Sequence, residues 1–521
     1  MDSTGEKLTP RILLASNMGH CIVRSTAEQR TVLERLLYHR YPDREWGTYF
    51  QFGFRRTRWG LLICWVDLMP PKPGDLDRQS HIVEFQPSYV RRALRTLEGC
   101  ELGVGVVHSH PEDCATWPSR LDDDMDRYFA GEFERYSQGR PYVSLIVSRD
   151  GNGQRFFSGR AFDKGNWLPV NEWLVCGSEI LRRDCAQSHL VMGQASDGAS
   201  LERLAELFGP QSVGRLRNST VGIVGCSGLG SPVAHVLARA GIGRFVLVDK
   251  GRYKASNHER NHASRARDVK NEPMWKVELL RRFVAEINPA ASVTCVVGDL
   301  LDEKVVDELA QCDLILGCTD SIYARAALGE LATHYMVPVL DLAVQMSALD
   351  GLLREQVGEL ARYAPGLPCP WCRGRVDAKS IREETMTDDE RERLQLAAKA
   401  AHERGEDGAQ YWSGSRPREL TVGYMTTAVG AIGAGYAQHW LTGAARMPHD
   451  RFQFDLGLSE FGFVKDRRAV DPGCTCQRTI GFADQGRADR KVSKPPHWPA
   501  AILLDGSQIV CRPASDGHRT T

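Results

Sequence analysis

Apolar and polar positions along this chain change rhythm at about residue 201. Before it, residues 26–40 place Val32, Leu33, Leu36 and Leu37 on one helical face with charge opposite. Apolar, aromatic-rich runs at 46–54 and 60–69 predict strands, and the Pro- and Gly-rich stretch Pro70–Gln79 predicts a loop. A helix over 87–98 leads into a Gly/Val strand, Leu102–Val107, which ends on His108; further strands are expected at 142–148 and 155–162. After residue 201, helical patterns alternate with apolar strands at Val221–Val224, Phe245–Asp249, Ser292–Val297, Leu314–Leu316 and Val337–Leu340. That alternation predicts a parallel sheet wrapped by helices, so the fold class is α/β.

Three stretches fall outside these rhythms. Residues 187–200 are small and polar and read as a linker. The strongly charged segment 377–410 reads as an exposed or mobile excursion, and 482–498, charged with Pro and Gly, as a loosely packed linker. The expected organisation is one unit over 1–186, the linker 187–200, a second unit over 201–480 and a tail over 481–521.

Composition narrows the class. The 521 residues are 42% hydrophobic and 25% charged, ordinary for a globular chain with real cores. Lys+Arg and Asp+Glu are both 66, which argues against a nucleic-acid or acidic-membrane partner. No apolar run reaches the roughly 18 residues of a membrane span, and the N-terminus carries no secretion signal. Fifteen scattered cysteines then predict reduced thiols, metal clusters and a cytoplasmic location.

Candidate chemistry begins at His108-Ser-His110-Pro111, followed by Ser119 and Asp122. Two histidines spaced by two at a strand end point to one side. With Asp122 they form a nitrogen and oxygen set suited to catalytic zinc, leaving a fourth position for water. Ser119 can donate a hydrogen bond to a developing oxyanion. A bare H-x-H also suits histidines merely paired with backbone or carboxylates.

This constellation resembles the JAMM (MPN-plus) metallopeptidases, which cleave after ubiquitin-like proteins; the resemblance implies a mixed-sheet, cytidine-deaminase-like α/β domain. It also implies a catalytic Glu on an early strand after the first helix, and that position is Glu45, with Glu84 a weaker rival. Seven residues separate Pro111 from Ser119 where the family commonly has six. The Ser-x-x-Asp spacing is kept, which selects Asp122 over Asp123, Asp124 and Asp126.

The second constellation is Gly225-Cys-Ser-Gly228-Leu-Gly230 after a strand and before a helix, a backbone suited to phosphates at a helix N-terminus. Asp249 ends the next strand, where an acid accepts from a ribose hydroxyl. Alone, this pattern equally suits a nicotinamide dehydrogenase. The sequel Ser256-Asn257-His-Glu-Arg260-Asn261, Lys276 at a helix start and Asp320 at a strand end resembles the ThiF/MoeB/HesA ubiquitin-activating superfamily over roughly 201–480. The resemblance implies a Rossmann-like domain using ATP and Mg²⁺. It implies that Asn257, Arg260 and Lys276 grip phosphates, that Asp320 holds magnesium, and that Arg203 reaches ATP, sometimes across a homodimer. Ser227 stands where the family's loop usually has Gly, and Gly251 where it often has a second acid.

Cys369-Pro-Trp-Cys372 and Cys474-Thr-Cys476 can close a tetrahedral structural zinc site between distant loops. Residues 373–473 contain no cysteine, so the thioester cysteine of some relatives is lacking there. Cys226, Cys318 and Cys511 remain as other thiols.

The leading reading is therefore adenylation of the C-terminal glycine of a ubiquitin-like protein, coupled to zinc peptidase cleavage; the resemblance implies a bacterial pathway with a conjugating enzyme, some of which serve phage defence. A second reading is activation and trimming of a ThiS- or MoaD-like sulfur carrier. A third is a non-enzymatic scaffold with degenerate sites.

Overall fold

The computed structural model describes Ile12 and residues 19–504, apart from 40–43, 78–82, 115, 138, 180, 187–198, 270–273, 409–419, 448, 458–461 and 467. The expected linker thus lies almost wholly outside the described residues, as do 505–521 of the expected tail.

The N-terminal sheet is built from β1 (His20–Thr26), β2 (Gly47–Thr57), β3 (Gly60–Met69), the short β4 (Leu76–Asp77) and β5 (Glu84–Phe85) pair beside it, β6 (Gly103–Ser109), β7 (Tyr142–Arg149), β8 (Arg155–Asp163), β9 (Asn166–Cys176) and β10 (Leu181–Cys185). Its order is β1-β3-β2-β6-β7-β8-β9-β10, and β1 also pairs with β9, which closes the sheet on itself. Helices α1 (Ala27–Glu34), α2 (Pro87–Arg95) and α3 (Arg120–Ser137) flank it. Thr26 caps α1 through a reciprocal bond with Gln29, which fixes the helix start. Phe50 stacks on Trp65, which packs against Trp173, in the core under α1.

Sequence patterning missed β1, β9 and β10 and the short pair β4 and β5, with β4 falling inside the stretch expected as a loop, and two bounds move. The helix of 26–40 turns into a π-helical stretch at Arg35–His39, and Val32 faces solvent at 37% exposure rather than sharing the apolar face. The helix expected over 87–98 ends at Arg95.

The second unit begins with α4 (Glu202–Phe208) and α5 (Pro210–Asn218). It continues through β11 (Thr220–Val224), α6 (Gly230–Arg239), β12 (Arg244–Val248), α7 (Lys276–Ile287), β13 (Ser292–Val297), α8 (Glu303–Leu309), β14 (Leu314–Gly317), α9 (Ile322–His334), β15 (Val339–Leu349) and β16 (Leu352–Tyr363). Helices α10 (Ala378–Thr385), α11 (Asp388–Glu403) and α12 (Gly423–Thr442) precede β17 (Arg451–Asp455), β18 (Gly462–Asp466) and β19 (Ile502–Leu504). The sheet order is β18-β17-β16-β15-β14-β11-β12-β13-β19, with β15-β14-β11-β12-β13 parallel. Those central strands are buried on both faces, which is why they read as continuous apolar runs.

Two expectations are corrected here. The charged segment 377–410 is largely exposed, as expected, but residues 377–408 are ordered rather than loose: they form α10 and α11, each opened by a side-chain cap from Asp377 or Thr387, and α10 packs on α9. The segment 482–498 is not loosely packed either. Ala483 and Val492 are buried, Asp484–Asp489 forms a 3-10 turn, and β19 beyond it pairs with β13. Its charges are spent on partners: Asp484 pairs with Arg55 and Lys494 with Asp302.

The two units share one apolar layer, in which Ile22, Leu62 and Leu174 meet Val337 and Leu331. Around it, Arg55 of β2 pairs with Glu303, Asp307 and Asp484, and Arg183 of β10 pairs with Asp313. No helix among the described residues is long and apolar enough to cross a membrane.

Candidate functional site

Two groups of the sequence-identified residues converge separately, one in each unit. In the N-terminal unit, His108 is the penultimate residue of β6 and His110 directly follows the strand, held by its own N–H donating to the Val147 carbonyl at 2.9 Å. Ser119 caps α3: its hydroxyl oxygen accepts from the Asp122 N–H at 3.1 Å and its N–H donates to Asp122 Oδ2 at 2.6 Å. This cap aims Asp122 at the histidines, with Oδ1 3.3 Å from His108 Nε2 and Oδ2 3.8 Å from His110 Nε2. The loop before the cap turns tightly at Pro111–Cys114 with Asp113 at φ 59°, and Asp122 still reaches both rings. The neighbouring acids are engaged elsewhere: Asp123 and Asp126 bind Arg160, and Asp124 pairs with Arg127.

Strand register brings in Glu45. Gly47 pairs with His108 across the antiparallel β2–β6 ladder, so two residues further out Glu45 falls opposite His110. Burial pushes the Glu45 carboxyl above its usual range, and the neighbouring His108 and His110 oppose that only in part. Glu84 lies exposed on β5, facing Asp77. At Asp122 burial also pushes upward, but the close rings of His108 and His110 and the Ser119 cap outweigh it and hold the carboxyl far below the usual range.

The donor set fits a metal. His108 is 1% exposed, and neither ring nitrogen has a hydrogen bond of good geometry. A buried imidazole left so costs about 1–3 kcal/mol, which a cation between His108, His110 and Asp122 removes. The four sulfurs of Cys369, Cys372, Cys474 and Cys476 also converge within 4.8 Å. Three of the Sγ–Sγ distances are 3.7, 3.6 and 3.7 Å. Zinc–sulfur bonds of ~2.3 Å give a tetrahedral edge of about 3.8 Å, so the cage has the size of that ion.

The second site is a cavity of about 380 Å³ at the carboxyl ends of β11, β12, β13 and β14. Gly225, Gly228, Asp249, Asn257, Arg260, Lys276 and Asp320 all line it. Gly225 sits at φ +96°, and a Cβ on Gly230 would lie 2.0 Å from the Gly225 carbonyl oxygen, so the loop folds this tightly only with glycine at both. Asp249 braces the loop by accepting from the Cys226 N–H at 2.8 Å. Ser227, at the position where glycine is usual, keeps a buried hydroxyl with no hydrogen-bond partner on the cavity wall, the chemistry of a group awaiting an acceptor such as phosphate. Arg260 is aimed by Thr421, whose carbonyl accepts from Nη1 at 2.9 Å. Gly251 leaves room for the Lys276 ammonium, 4.0 Å from Asp249 Oδ2.

Arg203 is the residue not brought in: it lies exposed on α4, away from the lining of this cavity. Conversely, Arg325, Asp299, Tyr323 and Thr426 line the cavity without having been read from the sequence. Asp299 had a signal, since it follows β13 as Asp249 and Asp320 follow their strands. Thr426 had none, because α12 reaches the site from over a hundred residues away. Cys226 and Cys318 are thiols that burial pushes well above their usual range, poor nucleophiles; Cys511 lies outside the described residues.

A parallel sheet with a glycine loop, strand-end acids and convergent Arg and Lys defines a Rossmann-type nucleotide-binding class. Residues 201–476 match the ThiF family, and the chain belongs to that family. It is similar to the adenylyltransferase and sulfurtransferase UBA4 of Kluyveromyces lactis, 33% identical over 24% of this chain and 28% of that one. It is also similar to the SAMP-activating enzyme E1 of Haloferax volcanii, 29% identical over 34% of this chain and 63% of that one. The chain thus spans between about a quarter and two thirds of the length of these relatives. Among solved structures, Escherichia coli MccB overlaps 54% of this chain and 72% of its own with a TM-score of 0.41 at 17% identity.

Proposed function

We propose that the ThiF unit adenylates the C-terminal carboxylate of a small ubiquitin-like or sulfur-carrier protein. The observation that carries this reading is the gathering of the glycine loop, Asp249, Asn257, Arg260, Lys276 and Asp320 around one cavity. A carboxylate oxygen attacks the α-phosphorus of ATP, the bond to the bridging oxygen breaks, and pyrophosphate leaves with that electron pair. The product is an acyl-adenylate. Two anions must meet, so the work of the site is charge neutralisation and alignment by Arg260, Lys276 and the loop N–H groups. Asp320 is the residue to hold magnesium, which supplies further neutralisation when bound.

Between the two fates of the adenylate, sulfur-carrier activation is the better supported. The relatives include proteins named adenylyltransferase and sulfurtransferase, and residues 373–473 offer no cysteine for a thioester. Conjugation through a separate conjugating enzyme is the alternative. Arg203, exposed on α4, suits a role in the cavity of a second copy in a homodimer.

The N-terminal unit we read as a JAMM-like zinc peptidase that trims or removes the same carrier. The orphaned ring of His108 carries this reading, with His110 and Asp122 as fellow ligands and Glu45 as the base. Zinc, when bound, would acidify a water; Glu45 takes the proton and Ser119 donates toward the oxyanion.

The deciding measurement is ATP–pyrophosphate exchange with ThiS-, MoaD- and ubiquitin-like carriers, followed by intact mass of the carrier. Exchange is expected with one carrier class and is abolished in Asp320→Ala. Absence of exchange with all of them, together with absence of bound zinc, would leave only a binding scaffold.

A further inference from the structure

Beside the glycine loop, Arg260, Lys276 and Asp320, the same cavity is lined by Lys250, Gly298, Asp299, Leu300 and Tyr323. Lys250 follows Asp249 at the end of β12, and Gly298–Leu300 follow β13, the next strand beyond it. With the phosphates on the glycine loop and the ribose at Asp249, the base of a nucleotide is directed toward these residues. The groups there are locked together. The Tyr323 hydroxyl donates to Asp299 Oδ2 at 2.6 Å, and Lys250 Nζ donates to the same oxygen at 2.9 Å and to the Tyr323 hydroxyl at 3.0 Å.

Behind them stands Trp498. Its ring is edge-on to Tyr323 with centroids 5.1 Å apart, and the Lys250 ammonium lies 4.7 Å from its centroid. Trp498 belongs to the strap that follows residue 476, beyond the span matched by the family. The strap is pinned at this spot three ways. Lys494 Nζ bonds Asp302 Oδ2 at 2.5 Å, the Ala501 N–H donates to the same carboxylate at 3.1 Å, and β19 pairs with β13. Ala501 also fills the space over Gly298, where a Cβ would come within 2.4 Å of it.

We propose that this C-terminal strap is the outer wall of the base end of the nucleotide cavity, and that Trp498 is a positioning residue for base recognition acting through Tyr323 and Lys250. The inference rests on the ATP reading above. Its distinctive consequence is that the base, and not the phosphates, depends on Trp498.

The test is equilibrium binding to the full chain, by calorimetry, of ATP and separately of inorganic tripolyphosphate. Trp498→Ala is expected to weaken ATP about three- to tenfold, the range of a single aromatic-edge plus cation–π contact, and to leave tripolyphosphate unchanged. Trp498→Phe, which keeps a ring, recovers most of the affinity; Lys494→Ala, which loosens the strap without touching the cavity, weakens ATP in the same direction. ATP binding unaltered in Trp498→Ala, or equal losses for ATP and tripolyphosphate, overturns the proposal while leaving the adenylation reading standing. Failure of the unaltered protein to bind ATP overturns that reading and this inference with it.

Discussion

Arg24, on β1 of the N-terminal unit, donates from Nη1 to the Met336 carbonyl at 2.8 Å, across the boundary between the two sheets. Its Nη2 donates to the carbonyls of Ala310 and Cys312. These oxygens lie just past the C-terminal ends of α8 and α9, where carbonyls lack helical partners and the dipole favours a cation. Arg24 is wholly buried with no carboxylate in its hydrogen-bond set, so one unit's side chain supplies the caps of the other's helices.

The units are therefore expected to unfold together. Arg24→Met keeps volume but leaves the buried Ala310 and Cys312 carbonyls without donors, while the Met336 carbonyl keeps the Cys176 thiol, a loss of about 2 kcal/mol at roughly 1 kcal/mol for each. Urea unfolding followed by near- and far-ultraviolet dichroism should show one transition shifted to lower denaturant. A change below about 1 kcal/mol, or a separate early transition of one half, would show that the cap is dispensable.

Arg24 also illustrates what the sequence hides. In His-Cys-Ile-Val-Arg-Ser-Thr the arginine reads as a surface residue, and nothing local reveals that its partners are about three hundred positions away. The strap misleads for the same reason: its charges suggest solvent, yet Asp484 and Lys494 are matched by Arg55 and Asp302 from distant elements. What is legible is what local physics decides. The buried parallel strands announce themselves as apolar runs, the glycine loop as a tight turn before α6, and Asp122 by its spacing from the helix cap Ser119. Glu45 needed a family resemblance, because its place opposite His110 follows from strand register.

A pair one turn apart on α9 predicts an unusual pH response. Burial pushes Glu330 up from 4.5 to about 7, against the Lys491 N–H that it accepts. Burial, then Arg490, lowers His334 from 6.5 to about 4. Glu330 holds its proton more tightly when folded, so its contribution is full below about pH 4.5 and is lost as pH rises through 7. His334 is the reverse: its contribution is full above about 6.5 and is lost as pH falls through 4. The two slopes oppose each other between 4.5 and 6.5. In Glu330→Gln, stability should climb with pH across that window; in His334→Gln it should fall. Urea midpoints measured at half-unit steps give the slopes, and identical slopes in both variants would refute the opposition.

Metal content distinguishes the two candidate cages. The thiol cage ties the loop after β16 to the strap's origin, so Cys372→Ser is expected to lose one zinc and to unfold at lower urea. The His108–His110–Asp122 cage sits on a ready-made strand end and a capped helix. His110→Ala should therefore lose the other zinc with little change in dichroism, taking total zinc from two per chain to one. Glu45→Gln separates ligand from base: it should retain both ions, measured by plasma emission spectrometry, and stop cleavage of a carrier's C-terminal extension. Cleavage surviving in Glu45→Gln would move the base to Glu84, and zinc content unchanged by His110→Ala would remove the metal from the N-terminal unit. His108, whose Nε2 has only Asp122 Oδ1 at 3.3 Å and whose Nδ1 has no hydrogen-bond partner, would then need another one, because a buried ring poorly bonded is among the costlier arrangements a core can hold.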